Sequence, residues 1–223
     1  MPSPGKKQIL NGQCLNRIGN VMKIFFKHCL YITGILFISL IFSINTISAQ
    51  GYVLDEFDLE IKEHAQSCSQ EITSLFETYL NSGSLTPAQL FDTFYIPIPD
   101  TEPPKYSTQY DKIVEKSLQA ILDKYLGKNK RIVYVMAVDA YGYLPAQNSK
   151  YSYSHTGNQE DDLKNNKAKR ILNDRIGLSA SKNKTEHLVQ PYHWDNGEKI
   201  KDFSIPLIIK NRHWGAVRIG YNY

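Results

Sequence analysis

The side chains best suited to chemistry lie in the second half of the chain. Asn173, Asp174 and Arg175 stand together in "KRILNDRIGL", with Arg170 five residues before Arg175. A guanidinium there can fork onto a carboxylate through two parallel N–H donors. It can equally pair with Asp174 or cap a preceding helix, and Arg170 carries the same ambiguity. Tyrosine is the second signal: there are fifteen, with six at 134, 141, 143, 151, 153 and 192. A tyrosine gives a pocket an apolar wall and a hydroxyl tip, which suits a small-molecule site with few convergent polar groups. Packing alone also uses half-buried tyrosines. The candidate ligand contacts are therefore Tyr134, Tyr143, Arg170, Asn173, Arg175 and Tyr192.

Covalent and metal chemistry find less support. The sequence has no G-x-S-x-G, H-E-x-x-H, G-x-G-x-x-G or phosphate loop. "GLSAS" (177–181) offers serines with nothing to activate them, so no catalytic residue is assigned. Of the six histidines, only His187 and His193 are close in sequence. Six residues apart on a strand, they share a face about 20 Å apart, too far to ligate one metal. No metal or cofactor is expected. In "HWGAVRIGY", Trp214, Ala216 and Arg218 fall on one strand face. Gly215, Val217, Ile219 and Tyr221 fall on the other, which is expected to meet the core. Arg218 needs a carboxylate there, either Asp202 on the adjoining strand or a ligand, and cross-strand pairing is the simpler answer.

The elements that must hold these groups can be read from periodicity. Ile61, Ala65, Cys68, Ile72, Leu75, Phe76 and Tyr79 recur at helical spacing, predicting one long helix over 54–81 that ends at Asn81-Ser82-Gly83. "TPAQ" predicts a short helix, with Thr86 as N-cap, Pro87 first and Gln89 closing a capping box. "YIPIPDTEPP" (95–104) holds four prolines and reads as a stiff, non-helical connector. A third helix is expected from about Ser107 to Leu126, stopped by Gly127. The period then changes to two. Strands are expected at 131–139, from "YLPAQ", at 187–193, at 199–209 and at 213–221, with turns at 140–142, 195–198 and 210–212. A short helix is expected over 161–172. Helices first and antiparallel strands after them predict an α+β fold, with helices packed on a sheet of about five strands.

The N-terminus reads differently from the rest. After Met22, basic Lys23 and Lys27 precede the apolar run 29–42, and "TISAQ" supplies small residues. That order is the secretory signal pattern, and residues 1–21 then look like a mis-called start. An uncleaved N-terminal anchor is the alternative, and only in that case would the protein touch a membrane. Either way, residues 51–223 are expected outside the cytoplasm, periplasmic or secreted, or anchored to the inner membrane. The formal charge of +4 owes five basic residues and no acids to the stretch before Gln50. The remainder has 21 basic against 22 acidic residues, a net of −1, so no basic patch points to nucleic acid. Cys68 is the one cysteine after that segment, which leaves no internal disulfide.

Several segments, in order, carry a family likeness: "LFDTFYIPIPDTEPPKYSTQYD", "VDAYGYLPAQNSKYS", "KRILNDRIGL", "QPYHWDNGE" and "RHWGAVRIGY". From about Leu90 to Tyr223 the chain resembles the Cache/PAS-like sensor region of bacterial methyl-accepting chemotaxis proteins. The resemblance implies a sensor domain over 84–223, joined to a connecting helix within 50–83, while the export or anchor pattern covers 1–49. It also implies a small polar ligand held between the sheet and the loop around 148–175, closed by tyrosines and Arg175. The report would pass through helix 54–81, by self-association or contact with a receptor. Two departures stand out. The chain has no long coiled-coil signalling hairpin, so it is not expected to signal to a cytoplasmic kinase by itself. Gln147 stands where the family often has a His before the Asn of "YLPAQNS". Covalent haem is excluded, because no C-x-x-C-H is present. The alternative is a pocketless envelope protein that binds a partner through helix 54–81, and an exported enzyme of unmarked chemistry comes third.

Overall fold

The apolar stripe folds into one helix, α1 (Glu56–Asn81). The computed structural model describes residues 52–223 apart from His155 and residues 194–196. The expected signal or anchor segment (1–49) and part of the turn at 195–198 lie outside the described residues. Asp55 caps α1 by accepting from the Asp58 N–H at 2.8 Å, and Asp58 returns the bond to the Asp55 N–H at 3.1 Å. Ile61, Ala65, Cys68, Ile72 and Phe76 are fully buried. Steps of four, three, four and four residues thus lay one helix face on the sheet. The helix stops as expected, with Gly83 at a φ of 75° just beyond it.

A capping box between Thr86 and Gln89 opens the short α2 (Pro87–Leu90). The proline-rich stretch is non-helical, but it is more than a connector. β1 (Ile96–Ile98) pairs antiparallel with β2 (Lys105–Ser107) in a two-stranded ribbon. Because β2 claims Ser107, α3 begins later than expected, at Asp111–Leu126.

The main sheet contains β3 (Ile132–Asp139), β4 (Leu188–His193), β5 (Lys199–Ile209) and β6 (Arg212–Asn222), in the order β3-β6-β5-β4 with every pair antiparallel. α1 crosses β5 and β6, and α3 packs on β3. The fold is therefore α+β, with a long N-terminal helix and shorter helices on antiparallel sheets. The helix-side core joins the α1 stripe and Val114, Leu118 and Leu122 of α3 to Val135, Ala137, Phe203, Ile205, Val217 and Ile219 of the sheet. At the start of α1 this core is pinned by charge. Lys201 Nζ reaches Asp55 Oδ2 at 2.8 Å and Asp58 Oδ1 at 2.9 Å, and the Tyr221 hydroxyl also donates to Asp58.

Three expectations need correction. The sheet has four strands, not five, because "YLPAQ" forms none. Pro145 has no N–H for a ladder, and Tyr143 makes only an isolated bridge to Ile171. Leu144 and the 169–172 segment bond to each other instead, through Leu144 N to Arg170 O at 2.9 Å and Lys169 N to Leu144 O at 2.7 Å. The helix expected over 161–172 is α4 (Gln159–Asn165), capped by Asn158, and the chain beyond Asn165 leaves helical geometry. Asn173 to Arg175 consequently do not follow a helix. Asp174 starts one, α5 (Arg175–Lys182), by accepting from the Gly177 N–H at 3.0 Å. Finally, Trp214 faces the helices. The β5–β6 register slips between Leu207 and Ile208, leaving an extra residue on β6 that turns the indole over. Its Nε1 donates to Leu90 O at 3.0 Å, and its ring meets Phe76 edge-on.

Candidate functional site

On the sheet face away from α1, the alternation of the strands sets an acid, a base and two phenols together. Tyr134, Gly220, Asp202 and Gln190 pair in one row across all four strands. Met136, Arg218 and Ser204 form the next row. Side chains diagonal across neighbouring strands are within reach of a long residue, so Arg218 leans onto Asp202. Gly220 has a steric role here: a Cβ at that position would stand 2.2 Å from Cε1 of Tyr134. Its absence lets the Tyr134 ring lie across β6 and reach β5.

Asp202 Oδ2 accepts two hydrogen bonds, from the Tyr134 hydroxyl at 2.5 Å and Arg218 Nε at 2.9 Å, and Arg218 Nη2 lies 2.8 Å away in an ion pair. The Tyr134 and Tyr192 hydroxyls are 3.0 Å apart. Asp202 is 0 % and Arg218 4 % exposed. Burial pulls the Arg218 pKa down, but the Asp202 carboxylate outweighs it and leaves the guanidinium more firmly charged than usual. Burial, and then the Asp202 charge, push the Tyr134 phenol well above its ordinary range, so it stays a neutral donor. The pairing is one-sided. Arg218 Nη1 and Asp202 Oδ1 are buried and have no hydrogen-bond partner among the described residues. A buried polar group left in that state costs about 1–3 kcal/mol, and more when charged.

The loop between β3 and β4 supplies the cover. Leu144, Tyr151 and Leu172 join Tyr134, Met136, Val138, Ile200 and Ala216 in an outer cluster, with Tyr192 packed against it. The Tyr151 hydroxyl donates to Val133 O at 3.1 Å. α5 packs over β5 and β6, where Gln190 Nε2 donates to Ile176 O at 3.0 Å.

Two of the six candidate contacts, Tyr134 and Tyr192, come together here. Tyr143 belongs to the helix-side core, where its hydroxyl donates to Asp111 Oδ2 at 2.7 Å and its ring meets Tyr95 and Tyr110. Arg170 is half-buried in the extended segment after α4. Asn173 and Arg175 are exposed at the start of α5. Sequence reasoning paired Arg218 with Asp202 across the strands but did not place them in a site. The signal lay in an acid and a base on adjoining strands, with Gly220 two residues after Arg218. Gln147 is buried, with Oε1 accepting from Asn148 N at 2.7 Å and Nε2 unpartnered.

Two surface clefts lie elsewhere. One, of about 350 Å³, opens beside Asp92, Asp139, Tyr141 and Arg212. The other is a shallow groove between α1 and α3, lined by Glu71, Leu75, Ile121 and Tyr125 among others. Among the described residues, no group of three or more His, Cys, Asp or Glu side chains is placed to hold a metal ion. None of the described helices is long and apolar enough to cross a membrane. No family model matches the chain, and no curated protein matches it significantly in sequence.

Proposed function

We propose that the domain after Tyr52 is an extracytoplasmic small-molecule sensor of the Cache/PAS-like kind, and that it binds its ligand on the outer face of the four-stranded sheet. One observation carries the reading: a buried, charged Arg218–Asp202 pair in which one guanidinium nitrogen and one carboxylate oxygen lack partners. A small polar molecule that offers an acceptor to Nη1 and a donor to Oδ1 would complete both. The Tyr134 and Tyr192 hydroxyls add a neutral polar edge. The family likeness of the 90–223 segments supports the same location, since it implies a ligand between the sheet and its covering loop. Export follows in this reading from the basic, apolar and small-residue order of the N-terminal segment.

Strand alternation offers a route for the report. Asp202 and Gly220 belong to the outer row, while their neighbours Lys201 and Tyr221 grip Asp58 of α1 on the inner side. A ligand that draws Asp202 outward would act through one peptide unit on the anchorage of α1. A thermal-shift panel of amino acids, carboxylates and purines tests the proposal. A ligand at a hundred times its Kd contributes about 2.7 kcal/mol, which corresponds to a rise of roughly 5–10 °C for a domain of this size. If no compound raises the melting temperature, and a protein partner is instead retained through residues 54–81, the sensor reading fails and the envelope-interaction reading replaces it.

A further inference from the structure

We infer that the cleft between α2 and the β3–β6 end of the sheet is a second binding site, and that it takes a short zwitterionic compound such as a dipeptide. It shares no lining residue with the outer-face cluster. Its volume of about 350 Å³ falls within the roughly 300–1,000 Å³ range of small-molecule sites. The walls carry both signs of charge. Arg212 lies over the Phe91 ring, its guanidinium carbon 3.8 Å from the ring centre, and its guanidinium makes no hydrogen bond among the described residues. Stacking holds the planar fork in place while leaving its N–H donors free, which is a pre-organised site for a carboxylate.

The other charges in the cleft are acidic. Asp92 accepts from Phe94 N at 3.0 Å and from Gln109 Nε2 at 3.1 Å, one bond on each oxygen. Asp139 Oδ2 accepts from the Tyr95 hydroxyl at 2.7 Å, and its Oδ1 accepts from the N–H groups of Tyr141 and Tyr143. Each carboxylate is fixed, yet keeps lone pairs for one further donor. A simple anion would meet two carboxylates, and a simple cation would meet the guanidinium. A compound with both charges satisfies both walls. Spacing narrows the class further. Asp139 pairs with Gly215 on β6, and the bulge at Trp214 leaves Arg212 two ladder positions beyond it, so with about 6.6 Å along the strands and about 5 Å across them the two positions stand roughly 8 Å apart. Two extended residues span about 7 Å, close to that separation, whereas a single α-amino acid falls well short of it. Tyr141 and Trp214 provide apolar wall between the charged ends.

The test is calorimetric titration of the full chain with glycylglycine, N-acetylglycylglycine and glycylglycinamide, in wild type and in the Arg212→Met variant. Saturable binding of glycylglycine is expected, weakened at least tenfold by blocking either end and at least tenfold by Arg212→Met. Asp92→Asn gives an equivalent loss and serves if Arg212→Met fails to fold. Equal binding of the three compounds, absence of saturable binding, or undiminished affinity in a folded Arg212 or Asp92 variant would each overturn the inference. The last result would also send glycylglycine to a different part of the surface.

Discussion

Arg218 and Asp202 stabilise each other only as a pair, because each is almost fully buried. Removing one partner from such a pair typically costs 3–5 kcal/mol, whereas replacing both with apolar residues is often close to neutral. Arg218→Met is therefore expected to lose about 3–5 kcal/mol in urea unfolding, and Arg218→Met with Asp202→Leu to recover most of it. A double variant as unstable as the single one would contradict this account of the pair. Lys105 provides a separate pH signature. It is buried and donates to Asn166 Oδ1 and to Ala168 O at 2.9 Å. Burial, followed by the nearby Arg170 charge, brings its pKa down from 10.5 to about 8. Between those values the unfolded chain binds more protons at this site than the folded one, so the stability contributed by the site rises with pH. The stability of wild type relative to Lys105→Met should climb from pH 8 towards pH 10, and a flat difference would refute the shift.

Individual elements differ in how well the sequence announces them. α1, α2 and the strands β3 to β6 were legible because their periodicity, capping residues and turn residues all agree. Elements that depend on partners distant in sequence were not. β1 and β2 are three-residue strands that exist only by pairing with each other, across a segment whose prolines dominate the local signal. α5 is not anticipated in the sequence: "RIGLSASK" is only eight residues long, and Asp174, which caps it, reads there only as an ion-pair partner for Arg175. The bulge that turns Trp214 inward leaves no local mark, because it is a mismatch of register between two strands. The candidate site shows the same division. Tyr134 and Tyr192 could be picked out by type, but the convergence of Asp202 and Arg218 beneath them depends on register. The β5–β6 hairpin is a stability test at this scale. Lys210 and Asn211 both have positive φ, at 48° and 61°, the geometry of a turn that favours Asn-Gly. A residue with a Cβ is held in that left-handed region at a cost of about 1–2 kcal/mol, so replacing the two residues with Asn-Gly should raise stability in chemical denaturation, and a loss would refute the turn assignment.

At the scale of the molecule, the sheet separates two chemistries. Its inner face carries the apolar core and the charged anchor at Lys201, Asp55 and Asp58. Its outer face carries the one-sided ion pair and two phenols beneath the β3–β4 loop. In the proposed function, adjacent residues on β5 and β6 that join the two faces carry a change at a bound molecule to α1. The most direct test is a side-chain and backbone NMR titration with whichever compound gives the largest thermal shift. The proposed function predicts saturable shifts of the Arg218 Nε–H resonance and of the amides at 201–204 and 218–221. Shifts confined to residues 67–78 and 121–125 in the α1–α3 groove, with Arg218 unmoved, would contradict it.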